Sequence, residues 1–141
     1  MGEMDADQRP KPGLVGRTFK KVETQDLASA FGNPEAHVLA TMVVATLLET
    51  ASLAAIEGCL GQDQICVGSR LDFAHTAPTP PGFIVRAEAT LVEVDRRRLL
   101  FEVRAWDEVQ EVAQGTHERF ILDKAKFLAQ VEAKAAKLPA K

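Results

Sequence analysis

Hydrophobic residues follow two different patterns along this chain. From Leu39 to Gly58 they run almost unbroken, L-A-T-M-V-V-A-T-L-L-E-T-A-S-L-A-A-I-E-G, with the charge of Glu49 at the middle. Such a run predicts a helix from about Thr41 to Glu57, ended by Gly58 or Gly61. From Phe83 onward the period drops to two. Phe83, Val85, Ala87, Ala89 and Leu91 alternate with Arg86, Glu88 and Thr90, and Leu99, Phe101, Val103 and Ala105 repeat the alternation up to Trp106. That is the period of half-buried strands, joined here by a turn at Asp95–Arg98. Leu14–Val22 and Gln64–His75 are strand-like, and a tight turn at Asp107-Glu108 leads into a last strand, Val109–Leu122. Pro78, Pro80, Pro81 and Gly82 force a loop. Thr24–His37 holds Gly32, Asn33 and Pro34 and reads as irregular or broken helix. Asp123–Lys137 is an amphipathic helix with Phe127, Leu128 and Val131 on one side. Met1–Gly13, polar and Pro/Gly-rich, reads as a flexible lead-in.

One apolar helix followed by a hairpin-rich antiparallel sheet is an α+β arrangement. A helix apolar nearly all round must be wrapped, and a curved sheet of about five strands could do it. This is the hot-dog fold, expected as a single domain over residues 14–137. Such sheets pair edge to edge or through their helices, so a homodimer is expected.

Composition narrows the function. The chain has 141 residues, enough to bury a core, and 17 basic against 20 acidic side chains, a net charge of −3. That balance carries no nucleic-acid footprint, and Arg96-Arg97-Arg98 between two strands is read as a solvated turn. The Leu39–Gly58 run approaches membrane-spanning length, but Thr41, Thr46, Glu49, Thr50 and Ser52 interrupt it, so a core helix is expected and no membrane partner. No secretory signal is visible, which points to the cytoplasm. Cys59 and Cys66 form no C-x-x-C pair, and with three scattered histidines they suggest reduced thiols and no metal site.

Glu49 is the residue that most needs a reason. Burying an unpaired carboxylate costs several kcal/mol or forces its protonation. It therefore either escapes to solvent or a cleft, or has partners. Thr41, His75 at a strand end in D-F-A-H-T, and Arg119 in G-T-H-E-R-F-I are the polar candidates beside it. Each also has an ordinary role: Thr41 as a helix cap, His75 as a structural histidine, Arg119 as a solvated strand residue or the partner of a nearby acid. His37 and His117 are read as structural. Together Glu49, His75 and Thr41 supply what hydrolysis of an activated acyl group needs: a carboxylate as nucleophile or base, a proton donor near neutral pH, and a hydroxyl. Gly68 in I-C-V-G-S-R could admit a backbone N–H to a developing oxyanion. Thr41 and Glu49, eight residues apart, would sit about 12 Å apart along a continuous helix. Either Thr41 precedes the helix proper, or the site is assembled across a dimer interface.

At these residues the chain resembles the fluoroacetyl-CoA thioesterase family of hot-dog proteins. The carriers are A-T-M-V-V-A-T-L-L-E (Ala40–Glu49), A-H-T-A-P-T-P-P-G (Ala74–Gly82) and G-T-H-E-R (Gly115–Arg119), with Lys126-Phe127 downstream. The resemblance runs from about Leu39 to Phe127. It implies a homodimeric acyl-CoA hydrolase that uses no metal, with Thr41, Glu49 and His75 catalytic and Gly68 and Arg119 in contact with the ligand. The fluoroacetate-specific members carry phenylalanines in a lid before the catalytic threonine. The stretch Phe31–His37 is shorter and keeps only Phe31, so a small or medium acyl-CoA is the expected substrate. Two other readings use the same residues. One is a module that sequesters acyl-CoA without turnover. The other is a hydratase built on Asp72 and His75, but at a strand spacing of three these point to opposite faces.

Overall fold

Five antiparallel strands form one sheet in the order β1-β3-β4-β5-β2. They are β1 (Val15–Lys21), β2 (Gln64–His75), β3 (Ile84–Asp95), β4 (Arg98–Trp106) and β5 (Glu111–Asp123). The computed structural model describes residues 9–140. The expected flexible lead-in falls mostly outside these residues. Of its described part, Gly13 donates its N–H to the Leu91 carbonyl at 2.7 Å.

The period-two segments become strands because alternate side chains reach one core. Val85, Ala87, Ala89 and Leu91 of β3 and Leu99, Phe101, Val103 and Ala105 of β4 all have no exposed surface. Helix α1 (Thr41–Ala55) touches every strand, so the sheet curls around it. Its buried side is Val44, Leu47, Leu48, Ala51, Ser52 and Ala55. A Cβ at Gly16 of β1 would stand 2.1 Å from the Ala51 carbonyl oxygen and 2.2 Å from the Ala55 nitrogen. Only glycine lets the strand pass this close to the helix backbone.

The helix departs from expectation in two ways. It stops at Ala55, where Glu57 N–H reaches the Ala54 carbonyl in a tightened last turn, and Gly58 then adopts φ +78°. Its apolar surface is also not wrapped all round. Met42 is 53% and Leu53 43% exposed, on a strip shared with Thr46 and Thr50. The outer edge of β2, at the end of the sheet, is likewise unpaired among the described residues.

The residues before α1 form two short 3-10 turns, Thr24–Asp26 and Ala28–Phe31. The Arg96-Arg97 turn joins β3 to β4, with Arg96 at φ 58°. Helix α2 (Lys124–Ala135) is capped by the Asp123 carboxylate, which accepts from the Lys126 N–H. It buries none of its residues, and Leu128 and Val131 stay half exposed.

Candidate active site

Backbone bonds set the entry of α1. Leu39 N–H donates to the Thr79 carbonyl (2.8 Å) and Ala40 N–H to the Asp26 carbonyl (2.9 Å). Ala40, extended at ψ 142°, takes the cap position and has no side chain to cap with. Thr41 is thus the first helical residue, and its hydroxyl is used elsewhere. Oγ1 lies 2.8 Å from Nδ1 of His75, the last residue of β2. The other ring nitrogen, Nε2, is buried and has no hydrogen-bond partner. Burial pushes the His75 pKa down, and the Ala77 backbone offsets this only in part. The pair borders a cleft of about 300 Å³ walled by small apolar side chains, among them Ala28, Ala36, Val38 and Ala77.

A second group gathers eight residues further along α1. Glu49 neither hides in the core nor stands free: its side chain is 45% exposed, with Oε1 3.6 Å from Arg119 Nη1 and 3.9 Å from His117 Nε2. His117 and Arg119 alternate along β5, so both point to the same face, and they are 1% and 5% exposed. Arg119 is therefore not a solvated strand residue; of its two ordinary roles, the contact with Glu49 fits partner of a nearby acid. Its Nη2 donates to the Cys66 carbonyl (3.0 Å), its Nε to the Cys66 sulfur (3.4 Å), and its Nη1 lies 3.2 Å from His117 Nε2. His117 Nδ1 is 2.8 Å from the Arg70 carbonyl oxygen. A Cβ on Gly68 would stand 3.1 Å from Glu49 Oε1 and 3.3 Å from both Arg119 Nη1 and His117 Cε1. The β2–β5 register shifts between Gly68 and Arg70, a bulge that turns the strand just beside this group.

The chain thus brings the five candidate residues together as two sets, Thr41 with His75 and Glu49 with Gly68 and Arg119. It does not bring the sets to each other. His117, read from sequence as structural, belongs to the second. The signal that could have found it was there in G-T-H-E-R: a histidine and an arginine two apart on a strand share a face. Among the described residues no cluster of three or more His, Cys, Asp or Glu side chains could hold a metal ion. Nor is any described helix long and apolar enough to cross a membrane.

A curled antiparallel sheet wrapped on an apolar helix is the hot-dog architecture, the class of fold shared by the thioesterase superfamily member described below. The family model described as fluoroacetyl-CoA-specific thioesterase matches residues 22–125, and the chain belongs to that family. It is 39% identical over 97 residues to the fluoroacetyl-CoA thioesterase of Streptantibioticus cattleyicolor, covering 69% of this chain and 70% of that one. A solved fluoroacetyl-CoA thioesterase superposes with a TM-score of 0.79 at 31% identity, over 92% of this chain and 98% of the other. A thioesterase superfamily member from Thermus thermophilus gives a TM-score of 0.85 at 26% identity, over 92% and 96% of the two chains. The chain is an enzyme that hydrolyses acyl-CoA thioesters.

Proposed function

We propose that this enzyme hydrolyses small or medium acyl-CoA thioesters with Thr41, Glu49 and His75, and that each complete site is shared by two copies of the chain. The observation that carries the reading is the 2.8 Å contact between Thr41 and His75 at the mouth of the apolar cleft. A threonine in that position would ordinarily serve the helix; here its hydroxyl serves the histidine.

Water adds to the thioester carbonyl and the sulfur departs, giving a free acid and coenzyme A. Glu49 supplies the carboxylate, as base toward water or as nucleophile toward the carbonyl. The Thr41 hydroxyl, donating to His75 Nδ1, accepts from the attacking water and so holds it. The neutral His75 ring first takes up a proton, from the water or from solvent, and then gives one to the departing thiolate. The Gly68 N–H and Arg119 hold the thioester end. Single-turnover hydrolysis in oxygen-18 water tests the nucleophile role: with Glu49 as base all the label enters the acid, whereas label in the Glu49 carboxylate can arise only from an acyl–Glu49 anhydride opened by water at the glutamyl carbonyl.

A second copy supplies the missing proximity. About 12 Å of helix separates Thr41 from Glu49 in one chain, more than one reacting centre can span. The free edge of β2 offers a way across it. If two β2 strands pair antiparallel about a twofold between Leu71 and Asp72, His75 of one copy lies opposite Gly68 of the other. Thr41 and His75 then meet the partner's Glu49, twice per dimer. The uncovered strip of α1, with Met42 and Leu53, is a second apolar surface that such an assembly could bury.

The acyl class rests on the cleft and on Phe31. Alanines at 28, 36 and 77 leave room for an alkyl chain, and Phe31, 48% exposed, is not among the lining residues. The test is coenzyme A release, read with a thiol reagent, over straight-chain acyl-CoAs from acetyl to long-chain with fluoroacetyl-CoA included. Release confined to short and medium chains, and lost in Glu49→Gln and His75→Ala variants that fold normally, is the expected result. Wild-type rates in both variants would sink the assignment of roles. Release confined to long chains would sink the substrate class.

A further inference from the structure

Arg119 is a long side chain with one charge to place, and the Glu49 carboxylate alone does not place it. At 3.6 Å and half exposed, that ion pair is loose. Three tighter contacts fix the guanidinium: the Cys66 carbonyl, the Cys66 sulfur and the ring of His117. The first two come from β2 and hold Nη2 and Nε. The ring holds Nη1, the nitrogen that faces Glu49.

The protonation of that ring follows from its neighbours. A backbone carbonyl can only accept, so His117 Nδ1, 2.8 Å from the Arg70 oxygen, carries the hydrogen. A guanidinium can only donate, so Nε2, 3.2 Å from Arg119 Nη1, presents its lone pair. The ring is neutral, in one tautomer, with both nitrogens used. The charged groups around it agree. Arg119 on β5 opposes a second cation, Glu49 on α1 lies further off at 3.9 Å, and Phe101 on β4 presents only its ring, with centroids 6.3 Å apart. Desolvation pushes the His117 pKa below its ordinary value; the Arg70 carbonyl and Glu49 oppose this, and Arg119 adds to it. The Arg70 carbonyl is adjacent to the bulge that separates Gly68 from Arg70 in the register.

We propose that His117 is a positioning residue: locked as its Nδ1–H tautomer by the Arg70 carbonyl, it accepts from Arg119 and aims that guanidinium at Glu49. The proposal rests on the active-site reading above. Its effect on turnover passes entirely through Arg119.

The test is a double-mutant cycle with a spectroscopic arm. His117→Asn can keep a donor near the Arg70 carbonyl but has nothing to reach Arg119, whereas His117→Gln places an amide oxygen near the position of Nε2. With butanoyl-CoA as probe, His117→Asn should lower kcat by about 10-fold or more with KM little changed, since a small misplacement of a reacting group is costly. His117→Gln should recover part of the loss. In an Arg119→Met background, His117→Asn should cost nothing further. An equal cost in both backgrounds would overturn the proposal, because the histidine would then act without Arg119. Long-range proton–nitrogen NMR of the unliganded enzyme reads the tautomer with no substrate at all. A proton on Nε2 at neutral pH would overturn the proposal directly. If Arg119→Met turned over like wild type, the role given to Arg119 in the reaction would fall first, and positioning with it.

Discussion

Gly68 shows how much of the site depends on a side chain that is missing. Its absent Cβ is the space shared by Glu49, Arg119 and His117. Gly68→Ala would push a methyl against three functional atoms at 3.1–3.3 Å, so they must shift by a few tenths of an ångström. Turnover should fall about 10-fold or more, since a positioned carboxylate loses its aim, while a melting curve moves little. Unchanged kinetics would show that the group has slack. His75 carries a pH prediction. Its ring must be neutral to accept from Thr41, and burial holds its pKa below the ordinary 6.5. The neutral form therefore persists as pH falls below 6.5, and the acid limb of kcat/KM should lie lower than for a free histidine. A limb centred above 6.5 would contradict that burial. Thr41 and His75 were both legible as candidates from residue type and place in the chain. Their 2.8 Å contact was not, because the two are 34 residues apart.

Each strand and helix is held by a few crossing points, and these can be probed singly. Between helix and sheet, Gly16 under Ala51 and Ala55 of α1 is such a point. Gly16→Ala should destabilise by about 3 kcal/mol or more, beyond ordinary overpacking, because backbone and not a side chain must move. Denaturant unfolding reads this directly; a loss below ~1 kcal/mol would mean that the helix can lift off β1. The loop after β4 is pinned differently. Burial would raise the Asp107 pKa, but the N–H groups of Val109 and Gln110 and the Thr79 hydroxyl outweigh it and hold the carboxyl below its ordinary 3.8. The sign follows: a depressed folded pKa contributes stability above the unfolded value, and that stability drains as pH falls from about 4 through the folded pKa. In Asp107→Asn the acid unfolding transition should be correspondingly flatter. Periodicity predicted these elements well, including the full span of β2 and the strand alternation of β3 and β4. The last turn of α1 was not legible, since apolar Ile56 and charged Glu57 suit a continued helix and a tightened turn alike.

For the molecule as a whole, the decisive matter is the unfinished surface. Among the described residues, one chain leaves the outer edge of β2 unpaired and a strip of α1 with Met42 and Leu53 uncovered, and it holds the Thr41–His75 pair apart from Glu49. A shared site makes a sharp prediction about mixed dimers. Co-expressed Glu49→Gln and His75→Ala chains, each inactive alone, should regain activity, because a heterodimer holds one site with both defects and one with neither. No recovery in demonstrated heterodimers would place each complete site within one chain.

What the amino-acid order determined by itself was local and facial. A period of two or an unbroken apolar run says which way a side chain points and which segments must be covered. That was enough for the α+β class, the helix, the hairpins and the odd position of Glu49. It could not say that Glu49 would sit half exposed against Arg119, 70 residues away, or that His117 would join them. Period reports the face a residue occupies and not the residue it meets. Meeting is decided by strand order, by the bulge at Gly68–Arg70 and by the curl of the sheet around α1, all of which depend on contacts between distant parts of the chain.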